Sequence, residues 1–205
     1  MLKGLVVLDP GHGQFGNPHT TKEGFYEGTQ NFILATLLRD ELQRRGFEVL
    51  MTRNRVEDNP TLEERGRLAG EAGAILFLSL HSNAPGTSAT PERYPKIRGA
   101  ETFYSVSDEA GNIPVARALN DAVVRTMNTE DRGIKTRRHP DNPDLDYYGV
   151  LRNSAQSGCR RAFLVEHGFH TNPEDSAFLQ DTESLSRLAA AEAEVVDRLL
   201  SLIKA

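Results

Sequence analysis

Three short apolar runs end in side chains able to hold a metal or move a proton. Leu5-Val-Val-Leu8 leads into Asp9-Pro10-Gly11-His12-Gly13, the run from Ala74 to Leu80 leads straight into His81-Ser82-Asn83, and the run from Arg161 to Val165 stops on Glu166. Imidazole and carboxylate are the donors of open zinc sites, where three protein ligands leave a fourth position for water or substrate. Glycines on both sides of His12 leave its ring uncrowded and permit a tight turn. A glutamate closing an apolar strand is costly to bury unless a cation or metal balances it. Each residue alone has a plainer reading, since a histidine after a strand is commonly a hydrogen-bonded turn residue. Arriving together, they point to a metal centre. Position alone leaves the third ligand open among Glu23, Glu27 and Glu166. Were Glu166 the ligand, no obvious strand-end base would remain to take a proton from water.

The elements that must position these residues follow from periodicity. Leu5 to Leu8 reads as a buried strand stopped by Pro10-Gly11. From Thr29 to Arg45 the apolar positions Phe32, Ile33, Leu37, Leu38 and Leu42 recur at helical spacing, and Gly46 closes the helix. Phe47 to Met51 is a second strand. Thr61-Leu-Glu-Glu64 has the form of a capping box opening a helix that ends near Gly73. Ala74 to Leu80, the most continuous apolar run, suits a central strand covered on both faces. After a Pro- and Ser-rich loop from Ser82 to Gly99 come a strand near Glu101 to Val106, a helix near Val115 to Met127 and a polar loop to about Tyr148. The strand Arg161 to Val165 follows, then a helix start at Asn172-Pro173-Glu174-Asp175 and an amphipathic helix from Leu185 to Ile203. Alternating strands and helices imply an α/β layered fold with a largely parallel sheet. In such a fold ligands sit beyond the carboxyl ends of the strands. His12, His81 and Glu166 are therefore expected at one sheet edge.

Composition narrows the function classes. At 205 residues, 38% hydrophobic and 26% charged, the chain suits one globular domain spanning residues 1–205, with no composition break or internal repeat. A net charge of −5 and no run of Lys and Arg interleaved with aromatics argue against nucleic acid as a partner. The basic stretch Lys135 to His139 reads as a solvated loop. Cys159, the single cysteine, excludes an internal disulfide and a Cys-rich zinc site, and reads as a buried structural thiol. No run approaches the ~18 apolar residues of a membrane span, so no membrane partner is expected. Met1-Leu2-Lys3-Gly4 runs directly into a strand without the apolar core of a secretory signal, which leaves another export route or a trimmed domain.

Several segments carry a resemblance. Val6-Val-Leu-Asp-Pro-Gly-His-Gly13, Glu27-Gly-Thr-Gln-Asn31, Thr52-Arg53, Leu62 to Arg65 and Leu78-Ser-Leu-His-Ser-Asn83 form its first half. Gly99-Ala-Glu-Thr-Phe-Tyr104, Asp131-Arg-Gly-Ile-Lys135, Val150-Leu-Arg152 and Val165-Glu-His-Gly-Phe-His-Thr-Asn172 with Glu174 form the second. In this order, from about residue 4 to about 200, they resemble the N-acetylmuramoyl-L-alanine amidases of the zinc-dependent amidase-3 type. The resemblance implies a twisted, mostly parallel sheet flanked by helices on both faces. It implies Zn2+ held by His12, Glu27 and His81, and Glu166 as the catalytic glutamate. The implied substrate is peptidoglycan, cut at the amide between the lactyl group of N-acetylmuramic acid and L-alanine. That chemistry belongs at the bacterial cell wall, in a phage endolysin, a sporulation or germination enzyme, or a growth-related hydrolase. A monomer is expected. The loops 82–99 and 137–148 are longer than in compact members and are placed to shape a substrate groove.

Other residues have expected roles. Asp9 is a candidate to orient His12 or to stabilise the turn before Pro10. His167 should face away from Glu166 as a structural residue, His170 lies near enough to stand behind the metal site, and His19 and His139 read as exposed. A zinc peptidase would share the ligand set and would need Arg152 or Arg132 for a terminal carboxylate. A binding module without chemistry is the third reading, disfavoured because all four site residues are present.

Overall fold

Parallel strands cannot be joined by tight hairpins and need crossovers, for which a helix is the usual solution. The chain follows that rule from its start, with β1 (Leu5–Pro10), α1 (Glu27–Arg44), β2 (Glu48–Met51), α2 (Leu62–Glu71) and β3 (Leu76–Asn83). Then come β4 (Ala100–Tyr104), α3 (Glu109–Met127), β5 (Asp131–Lys135), β6 (Arg138–His139), β7 (Asn142–Asp146), α4 (Gly149–Ser157), β8 (Ala162–Phe169), α5 (Pro173–Gln180) and α6 (Thr182–Ile203). This computed structural model describes residues 2–19, 22–86 and 89–203; Met1 and residues 87 and 88 of the long loop lie outside them.

Six strands form one sheet in the order β2-β1-β3-β8-β4-β5. The pairs β1–β2, β1–β3, β3–β8 and β4–β5 are parallel, and β4–β8 is antiparallel. The largely parallel α/β sheet read from the sequence is thus present, with β4 and β5 reversed. Side-chain alternation divides the core. Val6, Leu8, Leu78, Leu80 and Val165 point into the larger half, packed with apolar residues of α1, α3 and α6. Val7, Phe77, Phe103 and Leu164 point into the smaller half, closed by Ala69 of α2, Val150 and Leu151 of α4, and Cys159. Helices cover both faces.

The boundaries differ from expectation where they bear on function. β3 continues through Asn83 and β8 through Phe169, so His81 and Glu166 lie inside strands rather than after them. Glu27 is the first residue of α1, two residues before the expected start. The stripe of α1 is also rotated, with Asn31, Leu34, Ala35, Leu38 and Leu42 buried and Phe32, Ile33 and Leu37 only packed against the core. α3 begins six residues before Val115, because the Asp108 side chain accepts from the Gly111 N–H and the helix tolerates Pro114 early in its course. The expected polar loop before Tyr148 contains β5 and the small β6–β7 pair, and α4 follows directly. The basic stretch is correspondingly not a solvated loop: Lys135 pairs with Glu101, Arg138 with Glu109, and the Arg137 guanidinium lies 3.5 Å from the Tyr147 ring centroid. The capping box at Thr61 forms as read, with both reciprocal bonds present.

Candidate metal centre

At the carboxyl end of β1 the chain must leave the sheet and turn a histidine back over it. Gly11 N–H donates to Leu80 O at 2.9 Å, which pins the turn to β3. His12 takes the left-handed conformation (φ 62°), uncommon for a residue with a Cβ and a feature that clusters at functional sites. Gly11 is required for a different ring than the sequence suggested. A Cβ there would overlap the imidazole of His81, not that of His12. Gly28 serves the same closeness from the other side, since a Cβ there would run into Gly13 O. α1 therefore begins directly on the His12 turn.

Two buried arginines hold this arrangement. Arg65, 2% exposed, donates to Asp9 Oδ1 at 2.8 Å, to Pro10 O at 2.8 Å and to His12 O at 2.9 Å. Arg53, 1% exposed, donates to Pro10 O at 3.0 Å, to Val56 O at 2.7 Å and to Gly28 O. It thus ties the His12 turn to the first residues of α1. Burial, with Arg65 close by, pushes its guanidinium down to about 10. Asp9 does not serve as the orienting partner of His12. Its oxygens are taken by Thr52, Ser79 and Arg65, and through Arg65 it stabilises the turn, the second of its two expected roles.

The structure brings His12, Glu27 and His81 together, with one ligand atom from each lying within 4.8 Å of the others. His12 Nε2 is 3.2 Å from Glu27 Oε2, and His81 Nδ1 is 3.0 Å from Glu27 Oε1. The two imidazoles meet edge to face, with centroids 5.0 Å apart. Glu27 is fully buried at a helix N-terminus, which favours negative charge, and it accepts from Ser82 N–H at 2.9 Å and from the Asn31 and Asn17 amides. Burial would push this carboxyl up, but its hydrogen bonds to His12 and His81 outweigh burial and hold it well below the usual range. The Glu27 hydrogen bond likewise raises the imidazole of His12 against the effect of burial. Glu23, the other upstream candidate, is exposed and not part of the cluster.

Glu166 faces the same space but stands apart from the cluster. In β8 it is the register partner of His81 on one side and of Glu101 in β4 on the other. Part of the residue is exposed, yet Oε2 is buried with no hydrogen-bond partner. Burial, then the charges of Glu27 and Glu101, push its carboxyl well above the usual range. A cavity of about 550 Å3, typical of small-molecule sites, is lined by His12, His81, Glu166, Arg65, Tyr148 and Leu62 among others. The donor set fits a zinc-type cation: two imidazoles and a carboxylate pre-assembled, an unpartnered carboxylate oxygen facing them, and a cavity above.

The remaining histidines divide as follows. His167 is buried on the opposite sheet face, its Nδ1 3.0 Å from His81 O and its Nε2 3.1 Å from Glu192 Oε1 of α6. His170 stands behind the cluster, Nδ1 lying 3.0 Å from Ser82 Oγ while the Ser82 N–H donates to Glu27. His19 and His139 are half-buried rather than exposed, and the His19 ring lies 5.8 Å from that of Phe25. Arg152 is committed to the carbonyls of Asp146 and Tyr147, whereas Arg132 lines a neighbouring cavity. Arg53 and Arg65 stand within family-like segments of the sequence, but no local signal marks a charged residue as buried. Both long loops border cavities, residues 84–86, 89, 93 and 97 at the neighbouring one and Tyr148 at the first.

Against known proteins, residues 6–198 match the family model described as N-acetylmuramoyl-L-alanine amidase. The sporulation-specific N-acetylmuramoyl-L-alanine amidase of Bacillus subtilis is 28% identical over 201 residues, covering 97% of this chain and 69% of that protein. The amidase LytC of the same organism is 27% identical over 187 residues, which are 91% of this chain and 33% of LytC. This chain thus spans a third of LytC's length. Among solved structures, the catalytic domain of the amidase CwlV from Bacillus (Paenibacillus) polymyxa superposes with a TM-score of 0.77 at 25% identity, covering 97% of this chain and 98% of that one. No described helix is long and apolar enough to cross a membrane.

Proposed function

The chain belongs to the N-acetylmuramoyl-L-alanine amidase family, and on that premise we propose that it is a zinc-dependent hydrolase of peptidoglycan, cutting the amide between the lactyl group of N-acetylmuramic acid and L-alanine. We assign residues 1–205 to a single catalytic domain that acts as a monomer on the bacterial cell wall. The observation that carries the reading is the pairing of a His12–Glu27–His81 cluster with a buried, partnerless carboxylate oxygen on Glu166 in the same cavity.

His12, Glu27 and His81 would hold the cation. When bound, it supplies Lewis acidity, polarising an amide carbonyl and acidifying water. The residues of the chain do the rest. Glu27 is kept ionised by its amide and imidazole donors, and Ser82 with His170 behind it fixes its rotamer. Glu166 takes a proton from the attacking water and returns it to the departing alanine nitrogen. Its raised carboxyl suits both halves of that task, since a base too weakly basic would not accept the proton and one too strongly basic would not release it. Tyr148, Leu62, Val150 and Leu164 wall the cavity and limit water around the reacting atoms.

The test is digestion of purified cell wall with the zinc-loaded protein and with Glu166→Gln. New amino termini on L-alanine and intact glycan strands are expected, with turnover of the variant down ~100-fold or more and its zinc retained. New termini at other residues would leave a zinc peptidase, and near-normal turnover in the variant would remove Glu166 as the base.

A further inference from the structure

We propose that the cavity beside the reaction centre, lined by Arg93, Arg132, Asn83 and Phe169, is a carboxylate-binding subsite for the acidic peptide side of the substrate, and that it sets the direction in which the substrate crosses the metal centre. The inference rests on the amidase reading above and deepens it.

The row of register partners His81, Glu166 and Glu101 crosses β3, β8 and β4. His81 and Glu166 line the first cavity, while Glu101 lines a second of about 390 Å3. The row therefore leads from one space to the other. At ~4.8 Å between strands, Glu101 is ~10 Å from His81, about the length of three extended residues.

The two cavities differ in charge. In the first, Arg65 and Asp9 neutralise each other, which leaves Glu166 and the imidazoles of His12 and His81 among walls that include Leu62, Tyr148, Val150 and Leu164, and no unpaired arginine or lysine. In the second, Glu101 is already engaged by Lys135, by Arg132 Nε at 3.4 Å and by the Asn83 amide at 2.9 Å. Arg132 also lies over the Phe169 ring at 4.9 Å, which holds its guanidinium as a platform. Arg93 is exposed on the rim, and among the described residues no carboxylate pairs with it. Arg98, the next cation along the loop, is balanced by Glu174 and Asp175. With Lys135 counted against Glu101, the second cavity keeps the positive charge of two arginines.

The scissile amide joins unlike halves. On one side is a sugar whose ring substituents are neutral; on the other, L-alanine leads into a peptide that carries carboxylates on its second and later residues. A cationic cavity about three residues from the reacting centre suits the peptide, and the less charged cavity suits the sugar. Arginine recognises carboxylate through paired N–H donors, and Asn83 adds an amide donor.

The experiment uses zinc-loaded Glu166→Gln protein, so that binding is read without turnover. Calorimetry would compare the synthetic peptide L-alanyl-γ-D-glutamyl-L-lysine with the same peptide amidated at its carboxylates. The acid form is expected to bind about tenfold to a hundredfold more tightly, the range for charge-assisted hydrogen bonds, with the preference shrinking as salt rises. Arg93→Gln with Arg132→Gln should abolish the preference and leave the amidated peptide's affinity in place, which also reports that the variant is folded. Arg93→Glu alone should reduce the preference more than Arg93→Gln. Equal affinity for the two peptides, or a preference surviving in the double variant, would overturn the subsite. The amidase reading is scored separately by new L-alanyl termini, so either can fail while the other stands.

Discussion

Glu166 and Glu101 stand opposite each other across the antiparallel seam of β8 and β4, two carboxylates on one face of the sheet. Directly opposed residues bring their Cβ atoms to about 5 Å, and like charges so placed repel. The seam resolves this unequally. Glu101 is taken up by Lys135 and Arg132, while among the described residues no cation pairs with Glu166. The carboxylate proposed above as the base is thereby left without a counter-ion from the fold.

That inequality predicts a pH-dependent stability difference. The Glu166 carboxyl is raised in the folded state by burial, then by Glu27 and Glu101. A carboxyl raised in the folded state costs the fold nothing below its unfolded value of ~4.3; above it the unfolded chain ionises while the folded group keeps its proton, and the cost grows until pH passes the folded value. Metal-free Glu166→Gln should therefore melt higher than the metal-free parent at pH 7 to 8, by ~2–4 °C or more, and no higher near pH 4. Thermal melts at the two pH values check this; an equal difference at both would show that the carboxyl is not perturbed.

Gly11→Ala should empty the metal site while sparing the core. Its Cβ would occupy the place of the His81 ring, which must rotate away from Glu27. Zinc content by elemental analysis is expected to fall to a small fraction of one per chain, with far-ultraviolet circular dichroism unchanged. Full zinc occupancy in this variant would mean that His81 is not a ligand.

Arg53→Met should weaken both fold and metal binding. It leaves the carbonyls of Pro10, Val56 and Gly28 without their guanidinium donor, and buried acceptors stripped of a charged donor cost ~1–3 kcal/mol or more. Arg53→Lys should recover only part, since an ammonium cannot fork between those carbonyls. Urea denaturation and competitive zinc titration would be compared. Unchanged zinc affinity alongside lost stability would make Arg53 a core residue only.

Glu27→Ala should abolish zinc binding and, in the metal-free state, also lower the His12 imidazole, because the Glu27 hydrogen bond is the main cause of its elevation. Titration of the histidine ring protons by nuclear magnetic resonance reads the second effect. A His12 imidazole unchanged by the substitution would contradict the pairing seen here.

The parts legible in the sequence were those with a local signature. Leu5 to Leu8 is apolar throughout and Ala74 to Leu80 is apolar but for Ser79; the first became β1 and the second, from Leu76 onward, β3, both covered on two faces, and Thr61 and Glu64 formed their capping box. α4 had no such mark. It has nine residues, no side-chain cap, and a buried face of only Val150, Leu151 and Ser154. What makes it a helix is α2, whose Gly66 and Gly70 let the α4 backbone come so close that a Cβ at either would clash with it. Strand ends were misplaced for a related reason: His81 and Glu166 are polar, and polarity reads as an ending, whereas paired strands run on wherever neighbours supply hydrogen bonds. The arrival of His12, His81 and Glu166 at one cavity followed from their places at the carboxyl ends of strands; the choice of Glu27 over Glu23 needed the family resemblance, because it depends on where α1 meets the His12 turn.

Cys159 lies in the smaller half of the core, 2% exposed, and burial pushes its thiol up. A thiol that is both covered and reluctant to ionise is a poor nucleophile. The protein is therefore, as it stands, close to a blank background for thiol chemistry. A single cysteine introduced on an exposed rim position, such as Leu62 above the first cavity, would take a maleimide dye or spin label alone. The mobility and surroundings of that label could then be followed while substrate is bound, without first replacing Cys159.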